Sequence, residues 1–312
     1  MEAVPSYSPP ALLFNRHLET IYPSLLRKVD LQEPRKERIG TPDADFLDLD
    51  WYEQGAATLL IISHGLEGNS QRAYVRGMAR AFFLAGYDVL AWNYRGCSGE
   101  TTRQLRFYHS GATDDLHTVV SHAARRYTDI RLLGFSLGGN LTLKYLGEPW
   151  AHPSIQSAVG ISVPLNLYTS CLTISRPGNW IYTKRFLISL TAKIKAKPEL
   201  GKVVDVGRLE SIKTLFEFDD HFTGPLHGFA GALDYYTRCS SISFLSAIQV
   251  PTLVLNARND PFLSPECYPE TTNSRLTLDY PARGGHVGFT RFDRNGLYWS
   301  EMKALAFMQT HR

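Results

Sequence analysis

The chain has 312 residues, 44% of them hydrophobic and 20% charged, enough to bury a large core in one domain plus an insertion. Its net charge of +3 comes without a Lys/Arg block or an aromatic-interleaved basic run, which argues against a nucleic-acid partner. Cys97, Cys171, Cys239 and Cys267 lack C-x-x-C or metal spacing and read as reduced thiols. No run approaches the ~18 apolar residues of a membrane span, and Met1-Glu2-Ala3-Val4-Pro5 does not begin a signal peptide, so a cytoplasmic protein without a membrane anchor is expected.

Residues 1–42 hold a helix-like segment around Ala11–Thr20, then Tyr22-Pro23 and a charged stretch from Arg27 to Arg38. They read as an arm laid over the core, to which composition assigns no chemistry. Asp45 to Trp51 alternates, with Leu47, Leu49 and Trp51 on one face and Asp48 and Asp50 on the other, as in a half-buried antiparallel strand. Thr58 to Ser63 is almost continuously apolar, the pattern of a strand covered on both sides, and it runs into His64-Gly65-Leu66-Glu67-Gly68. Ser70 is a candidate cap for a helix reaching Leu84. Tyr87 to Trp92 is the next buried strand, and Asn93-Tyr94-Arg95-Gly96-Cys97-Ser98-Gly99 the loop after it. Residues 111–127 follow helical spacing, with Asp114 and Asp115 placed for the N-terminal end of the dipole.

Next comes the apolar run Ile130-Arg131-Leu132-Leu133, then Gly134-Phe135-Ser136-Leu137-Gly138-Gly139, then a helical pattern from Asn140 to Leu146. A serine on a tight strand-to-helix turn, with small residues on both sides, is a nucleophile elbow. Ile155 to Val163 is another strand. Alternating strands and helices at this spacing imply a mostly parallel sheet. The alternation breaks between about Pro164 and Gln249, where a basic amphipathic helix, Tyr182 to Lys197, precedes an aromatic stretch and a helix near Leu233–Tyr236. That insertion reads as a lid above the strands' carboxyl ends, and its basic helix as a solvated surface rather than a membrane contact. The strands resume at Val250–Asn256 and Leu276–Asp279, and a helix from Tyr298 to Met308 closes the chain. The expected division is a core from 1–163 and 250–312 with a lid from 164–249.

A serine hydroxyl needs a base to become a nucleophile, and that base needs a carboxylate to fix its tautomer. Asp260 and His286 follow the last two strands, so Ser136, Asp260 and His286 occur in the chain order this chemistry uses on such a sheet. Asp219 and Asp220 are rival acids within the insertion. The backbone N–H groups of Leu66 and Leu137 are the expected oxyanion hole, while His64 is expected to shape its loop by a structural hydrogen bond. Phe135, Trp180 and Phe222 are candidates to line an acyl pocket. No phosphate-loop or metal motif is present, and no cofactor or metal is called for.

His64-Gly65-Leu66-Glu67-Gly68, Asn93 through Gly99, Gly134 through Asn140 and Gly284-Gly285-His286-Val287-Gly288-Phe289 together resemble the YheT-like branch of the α/β-hydrolases, also called the AB-hydrolase 4 or EMB8 family. Asn15 through Pro23 resembles its amino-terminal signature. Phe218-Asp219-Asp220, Gly228-Phe229 and Tyr235-Tyr236 resemble its lid. The resemblance implies an α/β-hydrolase fold and a serine hydrolase of small-molecule carboxylic esters with Ser136, Asp260 and His286 as triad. Family members with an acyltransferase signature carry an acid five residues after the triad histidine, where this chain has Arg291. Acyl transfer by the same triad and ligand binding on a hydrolase scaffold are the alternatives.

Overall fold

A computed structural model describes residues 4–292 and 295–311 of the chain. The opening Met1-Glu2-Ala3, part of the reading against a signal peptide, lies outside the described residues. The strands are β1 (Arg35–Gly40), β2 (Phe46–Tyr52), β3 (Thr58–Ser63), β4 (Asp88–Asn93), β5 (Asp129–Phe135), β6 (Ile155–Ile161), β7 (Thr252–Leu255) and β8 (Leu276–Asp279). They form one sheet in the order β1-β2-β4-β3-β5-β6-β7-β8. β1 and β2 pair antiparallel with each other, β2 pairs antiparallel with β4, and from β4 through β3 to β8 every pairing is parallel.

The helices are α1 (Arg16–Leu26), α2 (Ala73–Leu84), α3 (Thr113–Ala123), α4 (Leu137–Gly147), α5 (Leu167–Ile174), α6 (Trp180–Lys195), α7 (Leu215–Phe218), α8 (Gly224–Leu226), α9 (Ala232–Cys239) and α10 (Trp299–Thr310). The continuous apolar runs are explained by two cores, because successive strand residues point to opposite faces. Leu59, Ile61, Leu90 and Trp92 join α3 and α4 on one side. Leu60, Ile62, Val89 and Ala91 join α2 and α10 on the other. The helices between β6 and β7 make a third layer, packed around Phe262, Tyr235 and Tyr236. Among the described residues no helix is long and apolar enough to cross a membrane, and all four cysteines are free.

Three local expectations change. The first helix begins five residues later than its sequence suggests, at Arg16, because the side chain of Asn15 accepts from His17 N and Leu18 N and caps it there; it then continues through Pro23. The charged stretch before Gly40 contains β1, an edge strand whose charges are paired across the ladder, Arg38 Nε with Asp48 at 2.7 Å and Arg35 Nε with Glu53 at 2.6 Å. Helix α2 starts at Ala73 without a side-chain cap, since the Ser70 hydroxyl donates instead to Asp50 at 2.6 Å.

Asp115 also does more than face a helix dipole. The guanidinium of Arg95, its side chain only 1% exposed, bonds Asp115 at 2.7 Å, Asp45 at 3.1 Å and Asp43 at 2.9 Å. One cation thus fastens the β1–β2 turn, the loop after β4 and the start of α3. Arg95→Met would leave carboxylates buried without their cation and is expected to cost about 3–5 kcal/mol. Chemical denaturation of the variant against the wild type measures this loss.

Candidate active site

Ser136 occupies the turn between β5 and α4 with φ at 52°. A non-glycine residue there is strained, and the strand and helix hold it by crossing closely. A Cβ on Gly134 would overlap the Gly138 carbonyl, one on Gly138 would meet the Ser63 carbonyl, and one on Gly139 would lie 2.6 Å from Val163 Cγ2. The Ser136 N–H donates to Ile161 O at 2.9 Å, tying the turn to β6.

The structure brings the three sequence-selected side chains into one hydrogen-bonded row. Ser136 Oγ lies 3.0 Å from His286 Nε2, and His286 Nδ1 lies 2.8 Å from Asp260 Oδ2. Asp260 has no exposed side-chain surface, and its other oxygen accepts from Phe262 N at 2.8 Å. With a carboxylate on Nδ1 the proton resides there, leaving Nε2 to accept from the serine. The Phe262 ring lies against the imidazole, with centroids 4.1 Å apart. The rival acids are engaged elsewhere: Asp219 accepts from Tyr236 OH at 2.5 Å, and Asp220 from Ala232 N at 2.9 Å.

The amino-terminal arm, to which composition assigned no chemistry, holds the loops of Asp260 and His286. The carboxylate of Glu19, 1% exposed, accepts from Gly284 N at 2.7 Å, Asn259 Nδ2 at 3.0 Å and Arg283 Nε at 2.8 Å. Thr20 Oγ1 accepts from the His286 N–H at 2.9 Å. On the far side Ser162, itself at φ 54°, accepts from Val287 N at 2.9 Å. Only the resemblance drew attention to Asn15 through Pro23, since nothing in a Glu-Thr pair signals a contact some 265 residues away.

Leu66 and Leu137 both border Ser136, and neither backbone N–H is spent on an acceptor among the described residues. The loop of Leu66 is held by a set of hydrogen bonds. His64 is fully buried, its Nδ1–H donates to Gly65 O at 2.8 Å, and its Nε2 accepts from Tyr94 N at 3.2 Å. Burial lowers the His64 pKa to about 3, so it shapes the loop as a neutral ring. Tyr74 OH accepts from Gly65 N at 2.9 Å. Glu67, at φ 52°, donates its N–H to Tyr108 OH at 2.8 Å, while its carboxylate accepts from Tyr108 OH and Lys193 Nζ at 2.7 Å each, and from Ser189 Oγ. Two cations expected on a solvated helix surface are therefore committed inward: Lys193 holds Glu67, and Lys197 donates to Thr102 O at 2.7 Å.

Two cavities meet at Ser136, His286 and Leu66, separated by Phe186 and Phe262. One, of about 130 Å³, runs under the helices between β6 and β7 past Leu167, Ile174, Leu190 and Leu215. The other, of about 320 Å³, extends past Tyr74, Phe135 and Tyr182 toward α1. Of the expected pocket aromatics only Phe135 lines one of them. Trp180 points outward, 60% exposed, and Phe222 is packed with Phe218 and Leu200 in a separate cluster. Among the described residues no group of three His, Cys, Asp or Glu side chains is placed to hold a metal ion.

A family model described as the alpha/beta hydrolase fold matches residues 58–276. The candidate esterase YheT of Escherichia coli (strain K12) is 33% identical over 88% of this chain and 84% of its own length. Human phospholipase ABHD3 is 30% identical over 87% of this chain and 74% of its own. The esterase Pf2001 of Pyrococcus furiosus shares the fold at a TM-score of 0.58, with 17% identity and 99% of both chains covered.

Thr20→Val removes the acceptor of the His286 N–H while keeping shape, and is expected to lower kcat on a short ester roughly ten- to a hundred-fold through misplacement of the imidazole. Steady-state kinetics on the folded variant checks it. The depressed pKa of His64 has a defined sign. The unfolded chain binds the proton below about 6.5 while the native ring does not until about 3, so this contribution is intact above the first value and lost as pH falls toward the second. A ¹⁵N NMR titration is expected to show His64 still neutral at pH 5, when an ordinary exposed histidine is protonated.

Proposed function

This chain belongs to the YheT-like branch of the α/β-hydrolase family and is an ester hydrolase, and on that footing we propose that it cleaves carboxylic esters through an acyl-enzyme on Ser136. The observation that carries the reading is the Ser136–His286–Asp260 row, at 3.0 and 2.8 Å, standing where two cavities meet. Ser136 Oγ attacks the ester carbonyl carbon and its proton passes to His286 Nε2. Asp260 holds the imidazole and stabilises the imidazolium. The N–H groups of Leu66 and Leu137 receive the oxyanion, each worth roughly 10²–10³ in rate. Collapse of the tetrahedral intermediate expels the alcohol, which takes the proton from His286. Water then attacks the acyl-enzyme, with His286 as base, and releases the acid and Ser136.

The smaller, apolar cavity suits a short- to medium-chain acyl group, and the larger one the alcohol of a lipid-like ester. Residues 164–249 serve as a lid between the core segments 1–163 and 250–312, and the free thiols fit a cytoplasmic setting. A fluorophosphonate probe is expected to label the wild type, and to fail on Ser136→Ala and His286→Ala. Asp260→Asn should lose about 10⁴ in kcat. Across p-nitrophenyl esters from C2 to C16, activity should peak at short to medium chains. Labelling or turnover that survives Ser136→Ala overturns the reading.

A further inference from the structure

The small cavity is walled mostly by apolar side chains, yet a carboxylate stands in it. Asp219 opens a π-helical turn, Asp219–Thr223, set between α7 and α8, and so leaves the regular helical path. Such turns recur at functional sites. Asp219 Oδ2 accepts from Tyr236 OH at 2.5 Å, and Tyr236 OH also lies 3.2 Å from Cys171 Sγ. Among the described residues no Lys or Arg pairs with this carboxylate, and burial pushes its pKa up to about 6. It is an acceptor held in a cavity without a counter-cation.

A donor stands in the same wall. His109 Nδ1 accepts from Gly111 N at 3.1 Å, which places the ring proton on Nε2, and that N–H has no acceptor among the described residues. An unbranched alkyl chain filling this cavity would shield both groups from solvent, leaving Asp219 with Tyr236 OH and the Thr223 side chain as its only donors and the His109 Nε2–H with no acceptor. A polar group buried without a partner costs more than a satisfied one contributes. A hydroxyl on the chain would donate to the carboxylate or accept from the imidazole and remove that penalty.

Resting on the assignment of Ser136 as nucleophile, we propose that this cavity selects acyl groups carrying a hydroxyl, with Asp219 as the specificity-determining acceptor. The hydroxyl donates to the carboxylate oxygen, and the apolar wall holds the methylenes. Sites built to hydrogen-bond a substrate hydroxyl discriminate strongly against the analogue lacking it.

The test compares kcat/KM for p-nitrophenyl hexanoate, 3-hydroxyhexanoate and 6-hydroxyhexanoate on wild type, Asp219→Asn and Asp219→Leu, with thermal melts to confirm folding. At least one hydroxy ester is expected to exceed hexanoate about ten-fold or more in the wild type. Asp219→Leu should abolish that preference, bringing the ratio of hydroxy ester to hexanoate kcat/KM to about one, and Asp219→Asn should keep part of it. Equal turnover of all three esters by the wild type, or a preference that survives Asp219→Leu, overturns the proposal. Calorimetry with Ser136→Ala protein and the methyl esters separates it from the mechanism. Preferential binding of a hydroxy ester without any wild-type turnover would leave the selectivity standing and sink the esterase reading. Absence of a binding preference sinks the selectivity alone.

Discussion

Ser136 is held at a positive φ by a strand and a helix that cross too closely for any side chain at Gly134 or Gly138, and the rest of the site is arranged around that turn. A strained residue of this kind costs on the order of 1–3 kcal/mol and persists only where its surroundings over-determine it. Here they do: β5 is an interior strand with β3 and β6 on its flanks, the Ser136 N–H is spent on β6, and the helix that follows is buried along nearly its whole length. The stability of the two cores is what keeps the hydroxyl raised.

The same sheet order sets where the partners stand. β5, β6, β7 and β8 are consecutive and parallel, so the loops after β5, β7 and β8 open at one end and carry Ser136, Asp260 and His286. The strands alone do not place an imidazole to within hydrogen-bonding reach. Glu19 and Thr20 on α1 clamp the Asp260 and His286 loops from one side and Ser162 holds the His286 loop from the other. A second set of contacts, from Lys193 and Ser189 of α6 to Glu67, ties the helices above the sheet to the loop that carries Leu66. The position of α6 and the geometry of the Leu66 loop therefore share one carboxylate.

Electrostatics divides the polar residues of the site by task. His64 is buried with both nitrogens committed and stays neutral, so it fixes backbone without entering proton transfer. His286 has one nitrogen on Asp260 and the other on Ser136, which is the arrangement a base requires. Asp219, in the cavity itself, stands outside the row, and among the described residues no Lys or Arg pairs with it.

The order of strands and helices was legible because a buried parallel strand must be apolar on both faces and an elbow must be lined with small residues, and both constraints write themselves into neighbouring positions. That Ser136, Asp260 and His286 would meet was legible for a related reason: chain order and the ends of strands are one-dimensional properties. Edge strand β1 was hidden by its charges, which are paired across the ladder rather than patterned along the chain. The clamp at Glu19, the Arg95 cluster, the inward lysines and the choice of Phe262 and Phe186 over Trp180 and Phe222 were decided only by tertiary structure. Each joins residues far apart in the chain, and a single sequence encodes what a side chain can bond but not which distant partner the fold will carry to it.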